Sequence, residues 1–293
     1  MTGPVLVVEA VGPLATIQDL GRPGHSALGV TSSGAADRPA YRLGNRLVGN
    51  QEDAASIEVL FGGLVLRATE PVTVAVTGAP VPLHIDDRAA PLCVPLTLRT
   101  GQLLTLGMPV TGLRSYIAIR GGIKAERLFG SASTDPTSGV GPPPLKVGRA
   151  LAVGDGTLGP LGATDVAAPS SPAQDFLVLR AILGPRHGWF TPAAIQTLAA
   201  STWTVTSDSD RVGIRLTGPA LQRARTDELP SEGVVRGGIQ IPASGQPLIF
   251  FADHPTTGGY PVIAVVLDED TDALAQTLPG DRIRFTVRCA PVL

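Results

Sequence analysis

Residues able to do chemistry concentrate in a few glycine-rich segments of the chain. The first segment runs from Thr16 to His25, and in it Gln18, Asp19 and Arg22 stand among glycines just after an apolar run. Glycines let the backbone approach a ligand closely, and an arginine can bind a carboxylate or phosphate through two parallel hydrogen bonds. This segment is therefore a candidate binding site, and a structural turn held by a local Asp19–Arg22 pair is the alternative.

A second polar group stands at the start of a predicted helix over Asp37–Val48. The backbone N–H groups and the dipole of a helix N-terminus can hold an anion. Asp37 serving only as the N-cap of this helix is the alternative interpretation.

The densest polar segment is Phe251–Pro261, which lies between two strongly apolar runs. Asp253 and His254 could act as acid or base, and the two threonines that follow offer hydroxyl groups. Gly258–Gly259 is predicted to form a small anion-binding nest. A β-hairpin that binds no ligand is the alternative.

The segment just before it, Ser231–Pro242, alternates in a way that predicts an edge strand. Such a strand would carry Glu232, Arg236 and Gln240 on one face. A solvated charged face with no further role is the alternative.

Composition and missing motifs exclude several function classes. The 293 residues include 23 basic and 25 acidic side chains, so the net charge of −2 gives no reason to expect a nucleic-acid partner. Lys124 and Lys146 are the two lysines, and neither lies in a phosphate-binding loop. The histidines lack metal-ligand spacing and no apolar run could span a membrane, so we expect no metal cluster, no membrane association and a cytoplasmic protein. Cys93 and Cys289 are predicted to be buried free thiols.

Short apolar runs separated by Gly, Pro, Asp and Thr predict a mainly β protein with few short helices. Besides the helix at Asp37–Val48, helices are predicted at Thr191–Ala200 and Thr271–Leu278. Residues 169–174 have no periodicity and interrupt the strand pattern, so we expect a β-rich N-terminal subdomain over 1–168 and a β-barrel subdomain over 175–293. The predicted strands are Val5–Ala10, Ile57–Leu60, Leu64–Ala68, Val72–Val76, Leu103–Leu106, Tyr116–Arg120, Phe176–Ile182, Trp203–Val205, Leu248–Ala252, Val262–Leu267 and Ile283–Val287.

Read in order, these segments resemble one family, the biotin-dependent carboxyltransferases, whose members are also known as allophanate hydrolase subunit 2 or as the C subunit of 5-oxoprolinase. The resemblance covers nearly the whole chain. It rests on Thr16–Gly24, Ser33–Asp37, Asn45–Asn50, Ile57–Gly63, Arg114–Ile123, Gly130–Thr134, Ser209–Gly218, Ser231–Pro242, Asp253–Ile263 and Gln276–Phe285.

The resemblance implies a cyclophilin-like β-barrel and a companion B subunit similar to allophanate hydrolase subunit 1. A third, A-type subunit completes an ATP-dependent 5-oxoprolinase that converts 5-oxoproline to glutamate. ATP could bind another subunit, and would activate the lactam by phosphorylating its oxygen. The implied catalytic residues, in a cleft lined by both halves, are Arg22, Asp37 and Asp253. The implied substrate contacts are Gln18, Asn45, Ser133, Thr134, Gln240, Thr256, Thr257, Gly258, Gly259 and Tyr260.

Two other functions fit the same resemblance. One is the carboxyltransferase part of a urea carboxylase-like enzyme, which takes CO2 from carboxybiotin; the chain has no Met-Lys-Met sequence that could carry biotin itself. The other is a regulatory module that only binds the companion subunit. The chain also departs from the family pattern, because Asp135–Leu145 is proline-rich instead of glycine-rich and His254 replaces an arginine.

Overall fold

The computed structural model describes residues 5–156, 159–162 and 175–288. These residues form two compact units, the first from 5–22 with 33–162 and the second from 23–32 with 175–288. The short segment 23–32 therefore groups with the C-terminal part of the chain. The predicted linker 169–174 lies outside the described residues, so the subdomain boundaries stay a prediction.

The first unit has a six-stranded antiparallel sheet in the order β11-β1-β4-β9-β6-β7 and a five-stranded antiparallel sheet in the order β2-β3-β10-β5-β8. Its helix is α1 (Arg38–Leu47). Its strands are β1 (Val5–Ala10), β2 (Leu14–Gln18), β3 (Ser56–Leu60), β4 (Val65–Ala68), β5 (Val72–Gly78), β6 (Leu83–Ile85), β7 (Arg88–Ala89), β8 (Leu96–Leu98), β9 (Leu103–Leu106), β10 (Arg114–Ile119) and β11 (Ala150–Ala152).

Side chains from both sheets form one core in this unit, including Leu66 on β4 and Ile57 on β3. The five-stranded sheet also packs against α1 on its other face, so every residue of β10 is buried. Gly44 allows this close approach, because a Cβ there would lie 3.2 Å from the Ala118 Cβ. A strand that is covered on both faces tends to read as an apolar run, and in β10 this holds for Tyr116–Ile119, which lies within the predicted strand Tyr116–Arg120. The buried polar residues Arg114 and Ser115 at its start were not predicted as strand.

The second unit is a closed barrel in the order β12-β19-β16-β17-β14-β13-β20, with a separate two-stranded sheet of β15 and β18. Its helices are α2 (Pro192–Ala200), α3 (Asp268–Thr271) and 3-10 turns at Ser26–Leu28, His187–Trp189 and Asp272–Gln276. Its strands are β12 (Leu177–Leu183), β13 (Trp203–Val205), β14 (Gly213–Thr217), β15 (Glu232–Gly233), β16 (Gly238–Gln240), β17 (Leu248–Phe250), β18 (Thr257–Gly258), β19 (Val262–Val266) and β20 (Arg282–Arg288).

Alternation of buried and exposed residues builds the barrel wall. In β20, Ile283 and Phe285 are buried while the residues between and beside them are exposed. β12 and β20 pair in parallel, and the other neighbouring strands of the barrel pair antiparallel. The closed barrel and the small number of short helices confirm the predicted mainly β fold.

Two sequence-based predictions in the second unit were wrong in detail. The segment 231–242 is not one edge strand, because a turn in which the Gly238 N–H donates to Val235 O separates β15 from β16, and β16 lies inside the barrel sheet. The predicted helix Thr271–Leu278 instead begins at Asp268, where three acidic residues favour a helix N-terminus, and ends at Gln276.

Other expectations concern single residues and the membrane. Cys93 is buried and free, whereas Cys289 lies outside the described residues. Over the described parts of the chain, no helix is both long enough and apolar enough to cross a membrane.

Candidate functional site

The buried carboxylate of Asp19 organises the polar end of β2 in the first unit. It accepts hydrogen bonds from the hydroxyls of Ser131 and Ser133, both at 2.6 Å, from Ala132 N at 2.7 Å and from Gly21 N at 2.8 Å. These contacts join two segments more than a hundred residues apart in sequence. The sequence suggested Asp19 only as the partner of Arg22 in a turn, and its role in fixing the 131–133 loop was missed.

Arg22 lies beside this loop and is 1% exposed. Its Nη2 donates a hydrogen bond to Ser133 O. A guanidinium in this position is a fixed positive charge that is shielded from bulk water, so its field is stronger than it would be in water. The structure therefore brings the predicted residues Arg22 and Ser133 together.

Gly141 covers Arg22 and Ser133. Its φ is +97°, and a Cβ built on it would overlap Ser133 O and lie 3.1 Å from Arg22 Nη2. The proline-rich segment 135–145 thus runs across the polar cluster at a distance that only glycine permits.

Gly141→Ala is expected to lower the free energy of unfolding by about 3 kcal/mol or more, because the new methyl group meets backbone and the φ is unfavourable for alanine. Gly139→Ala is the matched control: its φ is +72°, but a Cβ there has no neighbour within 4 Å. Urea unfolding of both variants checks this expectation. Equal losses of unfolding free energy in Gly141→Ala and Gly139→Ala would contradict the close approach of Gly141 to Ser133.

Gln18 and Thr134 are the other predicted contacts in this cluster, and both are buried. The Gln18 Nε2 group donates to Thr134 O at 2.8 Å and to Thr16 Oγ1 at 3.0 Å. Ser33 Oγ also donates to Thr134 O, at 3.3 Å. The end of β2, the 131–134 loop and Ser33 therefore form one connected polar cluster.

Asp37 is the N-cap of α1, since its carboxylate accepts from Ala40 N at 3.0 Å. Its own N–H donates to Tyr116 Oη at 2.8 Å. That hydroxyl in turn donates to Glu58 at 2.8 Å, and burial together with the nearby Glu58 carboxylate raises the pKa of Tyr116. Sequence reasoning missed Glu58, whose only signal was a charged residue within a strand pattern.

Asn45 holds the loop that follows α1 through side-chain hydrogen bonds. Its Nδ2 donates to Ala54 O at 2.9 Å, and its Oδ1 accepts from Asn50 at 3.0 Å and Ser56 at 3.2 Å. A small pocket of about 150 Å3 near this loop includes Asn50 and Arg127 among its lining residues. The predicted substrate contact at Asn45 stays a prediction.

In the second unit, Asp253 forms a buried ion pair with Arg211. Its two carboxylate oxygens accept from Arg211 Nε at 2.6 Å and Nη2 at 2.9 Å. The Arg211 side chain is 7% exposed and that of Asp253 is 0% exposed. Both oxygens face the guanidinium, so the geometry suits a positioning role for Asp253 better than proton transfer.

His254 follows this ion pair and is 8% exposed. Its Nδ1 lies 2.7 Å from Pro255 O, an acceptor, so Nδ1 carries the proton in the neutral ring. Burial is the main cause that lowers the pKa of His254 below 6.5; Arg236 adds to the lowering, while the Pro255 contact and Asp253 oppose it.

We expect stability to fall on acidification because of His254. The unfolded histidine takes up a proton near its ordinary pKa, whereas the folded one resists it, so stability is lost as the pH falls below about 6.5. His254→Gln should remove up to about 1.4 kcal/mol per pH unit of this slope. Unfolding free energies measured from about pH 8 to about pH 5 check the sign, and parallel curves for variant and wild type would refute it.

The predicted contacts after His254 lie on a loop that ends in β18 and leads into β19. Gln240 Nε2 donates to Tyr260 O at 3.0 Å, and a Cβ at Gly258 would lie 2.8 Å from the same nitrogen. The anion nest predicted at Gly258–Gly259 is wrong: Thr257–Gly258 pairs with β15, and neither glycine has a positive φ.

An open pocket of about 540 Å3 lies beside this loop. It is lined by Gly259, Tyr260 and residues 228–231. Arg223 stacks on the Tyr260 ring at 5.7 Å from its centroid, so a cation supports one wall of the pocket. The threonines at 256 and 257 are half-buried and exposed, respectively.

The edge-strand prediction had also placed three polar side chains on one face. Instead, Glu232 pairs with Arg186 at 2.7 Å, and Arg236 pairs with Asp272 at 2.8 Å. The predicted site residues thus fall into two groups, one in each unit, and the cleft lined by both halves stays a prediction.

Two kinds of ligand can be considered for the described residues, a metal ion and a triphosphate at the start of α1. Within those residues no group of three or more His, Cys, Asp or Glu side chains could hold a metal ion. The first turn of α1 does not fit a triphosphate, because the Asp37 carboxylate occupies its Ala40 N–H and adds negative charge.

Comparison with known proteins gives a consistent result. A family model described as carboxyltransferase domain, subdomain A and B, matches residues 28–287. The chain is 37% identical over 290 residues to the C subunit of 5-oxoprolinase from Escherichia coli (strain K12), covering 98% of this chain and 92% of that protein.

Two solved structures are similar in fold. The crystal structure of the protein TTHA0988 has a TM-score of 0.87 at 32% identity, covering 98% of this chain. That of the K. lactis urea amidolyase has a TM-score of 0.90 at 28% identity, covering 96% of this chain. The chain spans 56% of the first and 18% of the second of these longer chains.

Proposed function

Because the chain belongs to the family of the carboxyltransferase domain, subdomain A and B, we propose that it is the C subunit of a heteromeric, ATP-dependent 5-oxoprolinase. The observation that carries this proposal is the match to a protein named as the C subunit of 5-oxoprolinase, at 37% identity over nearly the full length of both chains. The substrate is a small lactam, and the product is the open-chain amino acid glutamate.

The polar cluster around Arg22 is the part of the first unit that suits this reaction. Phosphoryl transfer from ATP to the lactam oxygen releases ADP and makes the carbonyl carbon electrophilic. Water adds to that carbon, the C–N bond breaks as the nitrogen takes a proton, and a second water hydrolyses the resulting acyl phosphate to a carboxylate and inorganic phosphate. The negative charge in these steps lies on the former lactam oxygen and the phosphoryl group that it carries. A fixed guanidinium stabilises that oxygen without having to reorient, which is the largest contribution in many acyl-transfer sites. We assign this role to Arg22, with Ser133 holding it in place.

The two carboxylates of the predicted catalytic set have different roles in this proposal. Asp37 is half-buried and fixed through its backbone to Tyr116, so it is the second catalytic candidate. Asp253 acts through Arg211 and orders the loop that carries Thr256 to Tyr260.

Partners complete the proposed enzyme. We assign ATP to another subunit, since α1 does not offer a site for its phosphates. The companion B subunit and the third, A-type subunit are therefore required for turnover. This chain supplies the binding groups for the lactam.

Reconstitution tests the proposal directly. The full chain is combined with the companion and third subunits, and glutamate and ADP are measured after addition of 5-oxoproline and ATP. We expect glutamate only when all three subunits and ATP are present. An assembled complex that forms no glutamate contradicts the proposal.

A second candidate function follows from the description of the family and the urea amidolyase fold match. In it, the same chain would transfer CO2 from carboxybiotin on another protein to urea or a similar amide. When the same assembly is incubated with carboxybiotin, the carboxybiotin should then lose its carboxyl group only when urea is added. Glutamate formation favours the oxoprolinase if the added urea causes no loss of the carboxyl group from carboxybiotin.

A further inference from the structure

The Glu58 carboxylate lies inside the first unit, on a strand with neighbours on both sides. Its strand β3 pairs with β2 and β10, and Glu58 is directly opposite Tyr116 on β10. The two residues are 4% and 0% exposed. A buried carboxylate is costly unless donors or cations compensate its charge, so apolar packing alone gives no reason for a glutamate at this position.

One oxygen of this carboxylate accepts two hydrogen bonds that lead to the same short segment. Glu58 Oε2 accepts from Ala36 N at 3.0 Å and from the Tyr116 hydroxyl at 2.8 Å. The Tyr116 hydroxyl in turn accepts from Asp37 N at 2.8 Å. The consecutive N–H groups of Ala36 and Asp37 are therefore held by Glu58, the first directly and the second through Tyr116.

The direction of these hydrogen bonds is fixed by chemistry. The Asp37 N–H can only donate, so the Tyr116 hydroxyl accepts from it and gives its own proton to Glu58. Burial and the Glu58 carboxylate raise the pKa of Tyr116, so the hydroxyl keeps that proton. Arg114 Nε lies 3.5 Å from Glu58 Oε1, so a cation accompanies the buried charge.

The segment that Glu58 holds begins with an unfavourable backbone. Ser33 has a φ of +50°, and Gly34 has a φ of +104° at a place where a Cβ would lie 2.9 Å from backbone atoms. A positive φ in serine persists only where the surrounding contacts impose it. The Ala35 N–H, which donates to Asp19 O at 2.8 Å, and the two N–H groups held by Glu58 supply such contacts.

The same segment ends at Asp37, which is the second catalytic candidate. The Asp37 carboxylate accepts from Ala40 N at 3.0 Å, so both its backbone and its side chain are bound. A displacement of about 1 Å in a reacting group can cost on the order of 100-fold in rate. The contacts that fix the Asp37 backbone therefore bear on catalysis.

We propose that Glu58 and Tyr116 are positioning residues that hold the Asp37 carboxylate in place through the backbone of residues 33–37. Neither residue belongs to the predicted site, and neither touches the substrate in this proposal. The inference deepens the proposed function and rests on it for the catalytic role of Asp37.

Hydrogen exchange on the full chain tests the positioning without any turnover. Tyr116→Phe removes the hydroxyl and keeps the ring. We expect the Asp37 amide, and the Ala40 amide that donates to the Asp37 carboxylate, to exchange roughly tenfold faster relative to the amides of β5. Tyr41→Phe is the matched control, because its ring lies 6.2 Å from that of Tyr116 but its hydroxyl donates to Ala54 O. It should leave exchange at both amides unchanged.

The kinetics of the assembled complex test the consequence for catalysis. In Tyr116→Phe, kcat for glutamate formation should fall roughly tenfold while KM stays within about twofold, because the groups around Arg22 are retained. In an Asp37→Ala background the same substitution should have no further effect on kcat, because the carboxylate that it positions is absent. Glu58→Gln keeps one oxygen acceptor, so its kcat should lie between those of the wild type and Tyr116→Phe.

The outcomes separate this inference from the proposed function. Equally slow exchange at Asp37 and Ala40 in the wild type and Tyr116→Phe overturns the inference. Unchanged kcat in Tyr116→Phe, or a loss of kcat that persists in the Asp37→Ala background, also overturns it. If the wild-type complex forms no glutamate while both amides exchange faster in Tyr116→Phe alone, the proposed function is rejected and the positioning of Asp37 is supported.

Discussion

Asp253→Ala is expected to lower the free energy of unfolding by about 3–5 kcal/mol, because it removes the bidentate carboxylate partner of the buried Arg211 guanidinium. Both side chains are nearly inaccessible, and the pair is bidentate. In such a pair the energetic penalty comes mainly from the charge that is left behind. Chemical unfolding followed by circular dichroism measures the loss.

Two controls separate this effect from a general loss of charge. Replacing both partners, as in Arg211→Met with Asp253→Leu, should recover much of the stability, since no lone charge remains. Glu52→Ala breaks its pair with Arg46, whose side chains are 48% and 53% exposed, and should cost less than about 1 kcal/mol. A loss of similar size in Glu52→Ala and Asp253→Ala would contradict the account of the buried pair.

This result also bears on the predicted catalytic role of Asp253. A positioning residue loses activity in proportion to the disorder that its removal causes in the 254–260 loop. Activity lost in Asp253→Ala and restored in the Arg211→Met, Asp253→Leu double variant would support positioning. If the Arg211→Met, Asp253→Leu double variant is stable but inactive, a catalytic role of Asp253 is supported instead.

Asp19→Ala is expected to cost about 3–5 kcal/mol and to free the 131–133 loop, because it strands several buried donors at once. The substitution leaves two hydroxyls and the Ala132 N–H without their acceptor. The Ala132 amide is the most direct reporter, because it donates to Asp19 Oδ2 at 2.7 Å. Its hydrogen exchange should accelerate roughly a hundredfold.

Asp86→Ala is the control for this prediction within the same unit. Asp86 also accepts a backbone hydrogen bond, from Leu103 N at 2.9 Å, but it lies at the surface. Hydrogen bonds from the Leu103 N–H and from the Gln102 side chain lower its pKa, and water can replace it as acceptor. If hydrogen exchange of the Ala132 amide is as slow in Asp19→Ala as in the wild type, Asp19 does not hold the 131–133 loop in place.

Local patterns identified many of the strands but not all of them. Val5–Ala10, Leu103–Leu106 and Trp203–Val205 have the predicted bounds, because each is a largely apolar run between turn residues. Two five-residue strands, Leu14–Gln18 and Gly213–Thr217, were missed, and so were several strands of two or three residues, which give little readable alternation. They include Leu83–Ile85, Arg88–Ala89 and Ala150–Ala152.

Local sequence patterns also indicated some residues of the candidate site but not their long-range contacts. Arg22 lies in a segment that the residue types single out and Ser133 in one that the family resemblance singles out, and the structure brings the two into contact. The partner of Asp253 was not found, since Arg211 is 42 residues away and only the barrel strands β14 and β17 bring the two segments together. Long-range pairing of this kind has no local signature in a single sequence.

The most direct test of the central claim is the rate of ATP-dependent glutamate formation by the assembled complex when this chain carries Arg22→Met. The account predicts that kcat falls about 100- to 1000-fold while the subunits still assemble, because the fixed charge facing the lactam oxygen is gone. Turnover within a few fold of the wild-type rate would contradict the assignment of the reaction to this cluster.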